Sequence, residues 1–447
     1  MNPPFATADR PKSRTSLSRT PHRLRPGCYN PNLAVSLQKS TAVFRRVFKA
    51  FEYRDFRVMW IGACTSTIGT WMQIVAQAWL VYELSHSPFL LGLDTFLGGI
   101  PIFLFSLFGG VLADRFERRK MLMASQWVQM GSAFILTALV LLHLVHVWQI
   151  LMLSFVSGFA QAFGGPAYSA LIPTLVPKED MPNAIALNSI QFNAATIIGP
   201  TLAGIAMAKL GDAWCFGLNG LSFFAPIISL SILTIRFIPE KTGDSILSSM
   251  KEGFRFIRKR EGMVALMVLA FCMTFLAVPM RTFLPVFAED IFHHGPETYT
   301  SFVSAIGVGS VLGALLVAWL GQIRRKGTVA LVMLIALGLA IAGFGLSKVL
   351  ALSFVLLFVC GASMIGVFTM VNSLVQLITT NEMRGRVVSA YNFAFRGGMP
   401  MGNLVTGLLV PKDRASAVLP LVLAVNGALL VGLGIYFLTA QRKVAAL

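Results

Sequence analysis

Long apolar runs, separated by short polar segments, succeed one another along the chain from about residue 59 onward. A hydrocarbon core of ~30 Å is crossed by about 20 helical residues. Runs of that length occur near 59–82, 89–113, 121–143, 147–170, 184–209 and 213–236. A second six follow near 263–288, 299–321, 328–347, 350–378, 386–410 and 415–440. The runs are continuous rather than alternating, which excludes the two-residue period of membrane β-strands. The pattern predicts an all-α membrane protein of twelve transmembrane helices. Six-helix bundles are expected at 58–236 and 263–440, joined by a linker over 237–262 that carries an amphipathic helix. Residues 1–57 are expected to be a basic disordered tail with an interfacial helix, and 441–447 a short tail.

Inside these runs the polar positions have a helical period. Ser66, Thr70, Gln73 and Gln77 fall on one face of the first run; Thr369, Asn372, Gln376 and Thr380 fall on one face of the tenth. Ser389, Asn392 and Arg396 share a face of the eleventh. Polar groups at membrane depth turn toward the bundle interior or a wet cavity. Hydrogen bonds between helices are the alternative use of such stripes. The two halves also repeat: sliding the chain by 200 positions lays Pro200 on Pro400, Ser189 on Ser389 and Ala194 on Ala394. Repeats of this size place a substrate site between the halves.

Composition agrees with the pattern. Charged residues make up 13% and hydrophobic residues 55%, too little charge to cover a water-soluble surface of this size. The formal charge of +18 would suggest nucleic acid in a soluble protein, but the basic residues lie in the tail and in short loops. Twelve fall within the first 57 positions. Beyond them, nineteen Lys and Arg lie in loops on the tail's side against four on the other, namely Lys209, Lys348, Lys412 and Arg414. The positive-inside rule then puts both termini in the cytoplasm. Residues 1–50 contain a single acid, Asp9, and no signal-peptide core; they read as a disordered cytoplasmic tail or a misassigned start. Two basic amphipathic segments, around Phe44, Val47, Phe48 and Phe51 and around Met250, Phe254 and Ile257, are expected to lie on an anionic membrane surface. The five cysteines are scattered singly, without metal or disulfide spacing. No phosphate-binding loop is present, and the histidines at loop ends have neither nucleophile nor metal partner. No cofactor, metal or enzymatic activity is expected.

The loop after the second run reads Gly109-Gly110-Val111-Leu112-Ala113-Asp114-Arg115-Phe116-Glu117-Arg118-Arg119-Lys120. It resembles the G-x-L-A-D-R-x-G-R-R/K signature of the major facilitator superfamily, with Glu117 in place of the usual glycine. The resemblance implies the fold of two pseudo-symmetric six-helix bundles that rock about a central substrate site. It also implies a conformational latch of Gly110, Asp114, Arg115, Arg118 and Arg119. Asp114 would meet the start of the eleventh helix, where free N–H groups and the helix dipole favour a carboxylate. That contact exists only when the halves close on the cytoplasmic side. The counterpart loop, Gly321 to Gly327, lacks the aspartate. Gly199, Pro200 and Gly204 in the fifth run are similar to the antiporter element of the superfamily, with Ala186, Ala195 and Ala203 where glycine is usual. Longer stretches, Gly69–Gln73, Trp79–Leu84, Asn183–Ser189, Cys215–Asn219, Phe283–Phe287 and Met383–Val387, resemble the branch of enterobactin exporters and transmembrane secretion effectors.

Three charges stand clear of the ends of the runs: Asp94, Arg281 and Arg396. Such a charge costs about 2.5–3.5 kcal/mol on insertion scales, so partners or function are expected. Asp94 is the proton-coupling candidate, imagined to meet Arg281 or Arg396 in one state and lose it in the other. A static ion pair or a substrate-binding acid is the competing role. Arg281 snorkelling to the outer interface is weighed against a role in the cavity. Gln73, Gln77, Asn372, Gln376, Asn392 and Arg396 are the substrate-cavity candidates. The expected function is proton-coupled export of a small amphiphilic molecule or siderophore from a bacterial plasma (inner) membrane, with the chain acting as a monomer in the lipid bilayer. A symporter that imports solutes and a non-transporting receptor or scaffold remain open.

Overall fold

The computed structural model describes residues 48–233, 255–258, 260, 262–320, 325–380 and 383–440. The amphipathic positions Phe44, Val47, Met250 and Phe254, and most of the 237–262 linker, lie outside the described residues, as do 1–47 and 441–447. Twelve long helical segments follow in order: α1 (Arg54–Ser85), α2 (Pro88–Arg115), α3 (Arg118–Leu141), α4 (Val147–Leu175), α5 (Met181–Leu210) and α6, in two pieces (Asp212–Ser222 and Phe224–Ile232). Next come α7 (Met263–Thr282, continued by Leu284–Val286 and a π-helical turn Phe287–Ile291), α8 (Pro296–Leu320), α9 (Lys326–Leu346), α10 (Leu350–Ile378), α11 (Arg384–Leu409) and α12 (Ala415–Thr439). No strand occurs among the described residues. Ten of the helices are long and apolar enough to cross a membrane; α1 and α11 are not among them. These are two of the helices with polar stripes, and the polar residues displace apolar ones.

The sixth and seventh helices depart from the expected unbroken spans, and proline explains both breaks. Pro226 has no N–H for the carbonyl of Ser222, and its ring crowds that carbonyl; α6 is interrupted at Phe223, just after it. Pro285 stands in the same relation to Arg281, and α7 breaks at Phe283. The helix resumes and ends in the wide turn Phe287–Ile291. At the start of the chain, α1 begins at Arg54 rather than near 59, so Arg54 and Arg57 lie in its first turn.

Within each half, helices approach through glycine. A side chain at Gly158 would run into the backbone of Gly98, which seals α2 to α4. Gly309 faces the carbonyl of Phe358 while Gly361 faces that of Ile306, sealing α8 to α10; Gly338 and Gly427 do the same for α9 and α12. Small residues permit this backbone proximity, and dispersion rather than hydrophobic exclusion holds helices together in lipid.

The halves meet along α2 with α11 and along α5 with α8. In the first seam, Gly407 packs on Pro88 and Phe89, Gly92 on Asn403, Gly99 on the Pro400 ring, and Phe103 on Phe393 with ring centroids 4.3 Å apart. In the second, Gly204 packs on Thr300, Thr201 Oγ1 lies 3.4 Å from Ser304 Oγ, and Gly307 packs on Thr196 and Ile197. These contacts occupy the part of the molecule away from the Lys/Arg-rich loops. Along α2 the contacts named here run from Pro88 to Phe103, and along α5 from Thr196 to Gly204. Both seams therefore lie toward the end opposite the loop after α2.

Candidate substrate path and gate

A polar network crosses the first half at membrane depth. Gln77 Nε2 donates to Asp94 Oδ2 at 2.9 Å, Asp94 Oδ1 at 3.1 Å and Ser154 Oγ at 2.8 Å. Ser154 in turn donates to Asp94 Oδ1. Gln77 Oε1 accepts from Gln73 Nε2 at 3.3 Å, and Gln73 Oε1 accepts from Asn219 Nδ2 at 2.6 Å. Ser222 Oγ closes the chain on Asn219 Oδ1 at 3.2 Å. Four helices, α1, α2, α4 and α6, are thus tied by one run of neutral donors ending on one carboxyl. Asp94 is buried, and burying such a group without hydrogen bonds would cost several kcal/mol (roughly 2–7). Its partners in this structure are Gln77 and Ser154, and neither Arg281 nor Arg396 pairs with it here.

Arg281 lies over the Trp71 ring at 4.3 Å from its centroid, an arrangement in which the negative ring face attracts the guanidinium. It therefore neither meets Asp94 nor reaches away from aromatic cover. Just beyond it, Trp79 stacks on Tyr299 with centroids 6.0 Å apart. Beyond that again, Tyr82 Oη donates to Asp290 Oδ2 at 2.6 Å, and His86 Nδ1 lies 3.4 Å from Glu289 Oε1. The break and π-turn of α7 bring Glu289 and Asp290 against the end of α1. These contacts join the two halves, and together with the α2–α11 and α5–α8 seams they close the path on the face opposite the basic loops.

The second half's candidates lie in the basic-face portions of α10 and α11. Gln376 Nε2 donates to Asn372 Oδ1 at 2.9 Å near the basic end of α10. On α11, Asn392 and Arg396 are exposed on a strip between the face that packs on α2 (Phe393, Gly397, Pro400) and Phe395, which meets Phe368 of α10. The opposite exposed strip is apolar (Met401, Val405, Leu408), as a lipid face requires.

At the basic face, Asp114 sits in the last turn of α2 and Arg115 is exposed. A side chain at Gly110 would meet open space. Arg118 and Arg119 take up helix ends within the first half. Arg118 donates to the carbonyls of Ala113 and Ala170, each at 3.0 Å, at the ends of α2 and α4. Arg119 donates to Leu233 O at 2.9 Å and Ser231 O at 3.1 Å, at the end of α6. Helix C-termini leave carbonyls unpaired and carry partial negative charge, so a guanidinium is well placed there. Glu117, in place of the usual glycine, pairs with Lys120 at 2.8 Å. In the antiporter-like element, Gly199 admits the backbone of α1 at Ile68 and Met72, Pro200 is buried, and Gly204 faces Thr300 across the halves.

Sequence reasoning assigned no role to Ser154, Asn219, Trp71, Tyr82, Glu289 or Asp290. Single small polar residues in apolar runs have no period to betray them. The Trp71–Gln73 and Asn219 positions do fall in stretches that resemble the exporter branch.

Comparison with known proteins agrees with this architecture. The family model described as transmembrane secretion effector matches residues 46–446. The chain is 28% identical over 395 residues to the enterobactin exporter EntS of Shigella boydii serotype 4 (strain Sb227), covering 86% of this chain and 90% of that protein. It is 25% identical over 375 residues to macrolide efflux protein A of Streptococcus pyogenes, covering 80% and 89%. Among solved structures, the peptide transporter POT in complex with sulfate superposes with a TM-score of 0.68 at 13% identity, over 88% of this chain and 95% of that one. A bacterial homolog of the human lysosomal transporter Spinster, inward-facing and unoccupied, gives 0.64 at 13% identity, over 87% and 95%.

Proposed function

The chain belongs to the transmembrane secretion effector family of major facilitator transporters, and on that premise we propose that it exports a small amphiphilic molecule or siderophore by proton-coupled alternating access. The observation that carries the reading is the one-sided seam. Two halves, each sealed internally by glycine contacts, meet along two seams that lie toward the end away from the basic loops. Rocking two such bodies about a fixed site is how repeats of this kind expose it alternately to either side. The excess of Lys and Arg on the side away from the seams supports a cytoplasmic basic face and cytoplasmic termini in a bacterial plasma (inner) membrane. Loading from the cytoplasm is what an exporter needs, and an enterobactin exporter and a macrolide efflux protein among its relatives support that direction.

Asp114 acts as the latch of the opposite state. The α2–α11 seam runs antiparallel through Pro88–Gly407, Gly92–Asn403, Gly99–Pro400 and Phe103–Phe393. Continued toward the basic face, this pairing runs the end of α2 toward the start of α11, where a helix N-terminus favours a carboxylate. Asp94 carries the coupling proton, held by Gln77 and Ser154 and exchanged when rocking of the halves changes the access of water to it. Gly199, Pro200 and Gly204 belong to the antiport device, and the chain works as a monomer.

Everted membrane vesicles energised by respiration test the proposal. Solute should accumulate in the lumen and be released by an uncoupler. Accumulation in right-side-out vesicles driven by an inward proton gradient would instead mark a symporter. No flux of any solute beside intact signalling would mark a receptor.

A further inference from the structure

Two guanidinium groups stand inside the membrane domain without a carboxylate. Arg281 lies against Trp71, between the halves and just beneath the Trp79–Tyr299 stack. Arg396 lies on the exposed polar strip of α11, closer to the basic face. Among the described residues neither has an acid within ion-pair distance. The acids that might have served are engaged elsewhere. Asp94 is held by Gln77 and Ser154 within the first half, Asp290 takes the hydroxyl of Tyr82, and Glu289 lies beside His86. Membrane-embedded charges are normally paired, so two uncompensated cations along one path call for an anion from outside the chain. Arginine's planar fork matches a carboxylate, sulfonate or phenolate, and the ring of Trp71 offers an apolar plane beside it. A cationic solute would meet like charge at both levels, which costs several kcal/mol in partner discrimination (order of magnitude).

Given the exporter reading above, on which this step rests, the geometry points to an amphiphilic organic anion as the transported molecule, its acidic group held by Arg281 beside Trp71 and first met by Arg396. The inference separates this chain from carriers of cationic or neutral solutes.

The test uses purified full-length protein in lipid nanodiscs and a matched pair of probes, naphthalenesulfonate and naphthylmethylammonium, with binding measured by calorimetry at fixed ionic strength. The wild type should prefer the anion. Arg281→Gln should weaken its binding by about tenfold to a hundredfold, the range for hydrogen bonds to charged groups, and Arg281→Lys should recover part of the loss. Preference for the cation, binding of neither probe, or undiminished anion binding by Arg281→Gln overturns the inference. Should Arg281→Gln unfold at a lower temperature than the wild type, Arg396→Gln is the second reading, and unchanged anion affinity there overturns it equally. The exporter reading fails separately. Bound anion that wild-type vesicles never move would refute transport and leave the anion site standing. Export of the cation alone would keep the exporter and remove the anion.

Discussion

Removing one oxygen from Tyr82 should loosen the closed gate. Its ring is fully buried, and its hydroxyl lies 2.6 Å from Asp290 Oδ2 across the boundary between the halves. When the gate opens both groups reach water, so Tyr82→Phe penalises only the closed form. A hydrogen bond to a charged group contributes about 1.5–3 kcal/mol net, so the ratio of open to closed molecules should rise roughly tenfold to 150-fold. Thr300 reports on the open fraction: it is 5% exposed and packs under Gly204 in the second seam. In a background without other cysteines, Thr300→Cys reacts with an impermeant maleimide added outside intact cells only while the gate is open. Its labelling rate is then proportional to the open fraction. Adding Tyr82→Phe should raise that rate by the same factor while the open form is scarce, and up to the rate of a fully open population otherwise. Adding Asp290→Ala on top should produce little further change, because both substitutions delete one interaction. A labelling rate indistinguishable from the parent would refute the assignment of Tyr82–Asp290 as a gate contact.

Other expectations follow from the same contacts. Asp114→Asn should slow export at normal expression by weakening closure at the basic face; unchanged rates in everted vesicles would mark the aspartate as vestigial. Asp94→Asn should abolish uphill accumulation while leaving downhill flux, and a mutant that concentrates solute like the wild type would exclude it from coupling. Arg119→Ala removes two hydrogen bonds at the end of α6, a loss of roughly 1–3 kcal/mol. It should lower the apparent melting temperature on detergent size-exclusion, and an unchanged temperature would mean that water satisfies those carbonyls.

Twelve spans, their pairing in two halves and the polar strip of α11 were legible because each has a period or a length that lipid enforces. The breaks in α6 and α7 were not. Pro226 and Pro285 are plain in the chain, yet proline is common in membrane helices and whether a helix bends or breaks there depends on its neighbours. The true partners of Asp94 were hidden for a related reason. Ser154 and Gln77 become its ligands only when α1, α2 and α4 converge, and no local spacing encodes that convergence. Tyr82 and Asp290 are separated by 208 positions. The loop after α2 is read from its sequence as a latch; that Arg118 and Arg119 also hold helix ends of their own half is a contact no local motif spells out.

The modest apolarity of α1 and α11 bears on how the chain enters the membrane. α1 precedes the other described long helices in the chain, and Thr65, Ser66, Thr67, Thr70, Gln73 and Gln77 interrupt it. A segment this polar partitions weakly into lipid by itself. α2 is strongly apolar over Pro88–Ser106 and follows after the two residues His86 and Ser87. The insertion machinery must therefore receive α1 and α2 together, as a hairpin whose second arm anchors the first. α11 faces the same difficulty between the apolar α10 and α12. The same polarity thus makes each of these two helices depend on an apolar neighbour for its place in the bilayer.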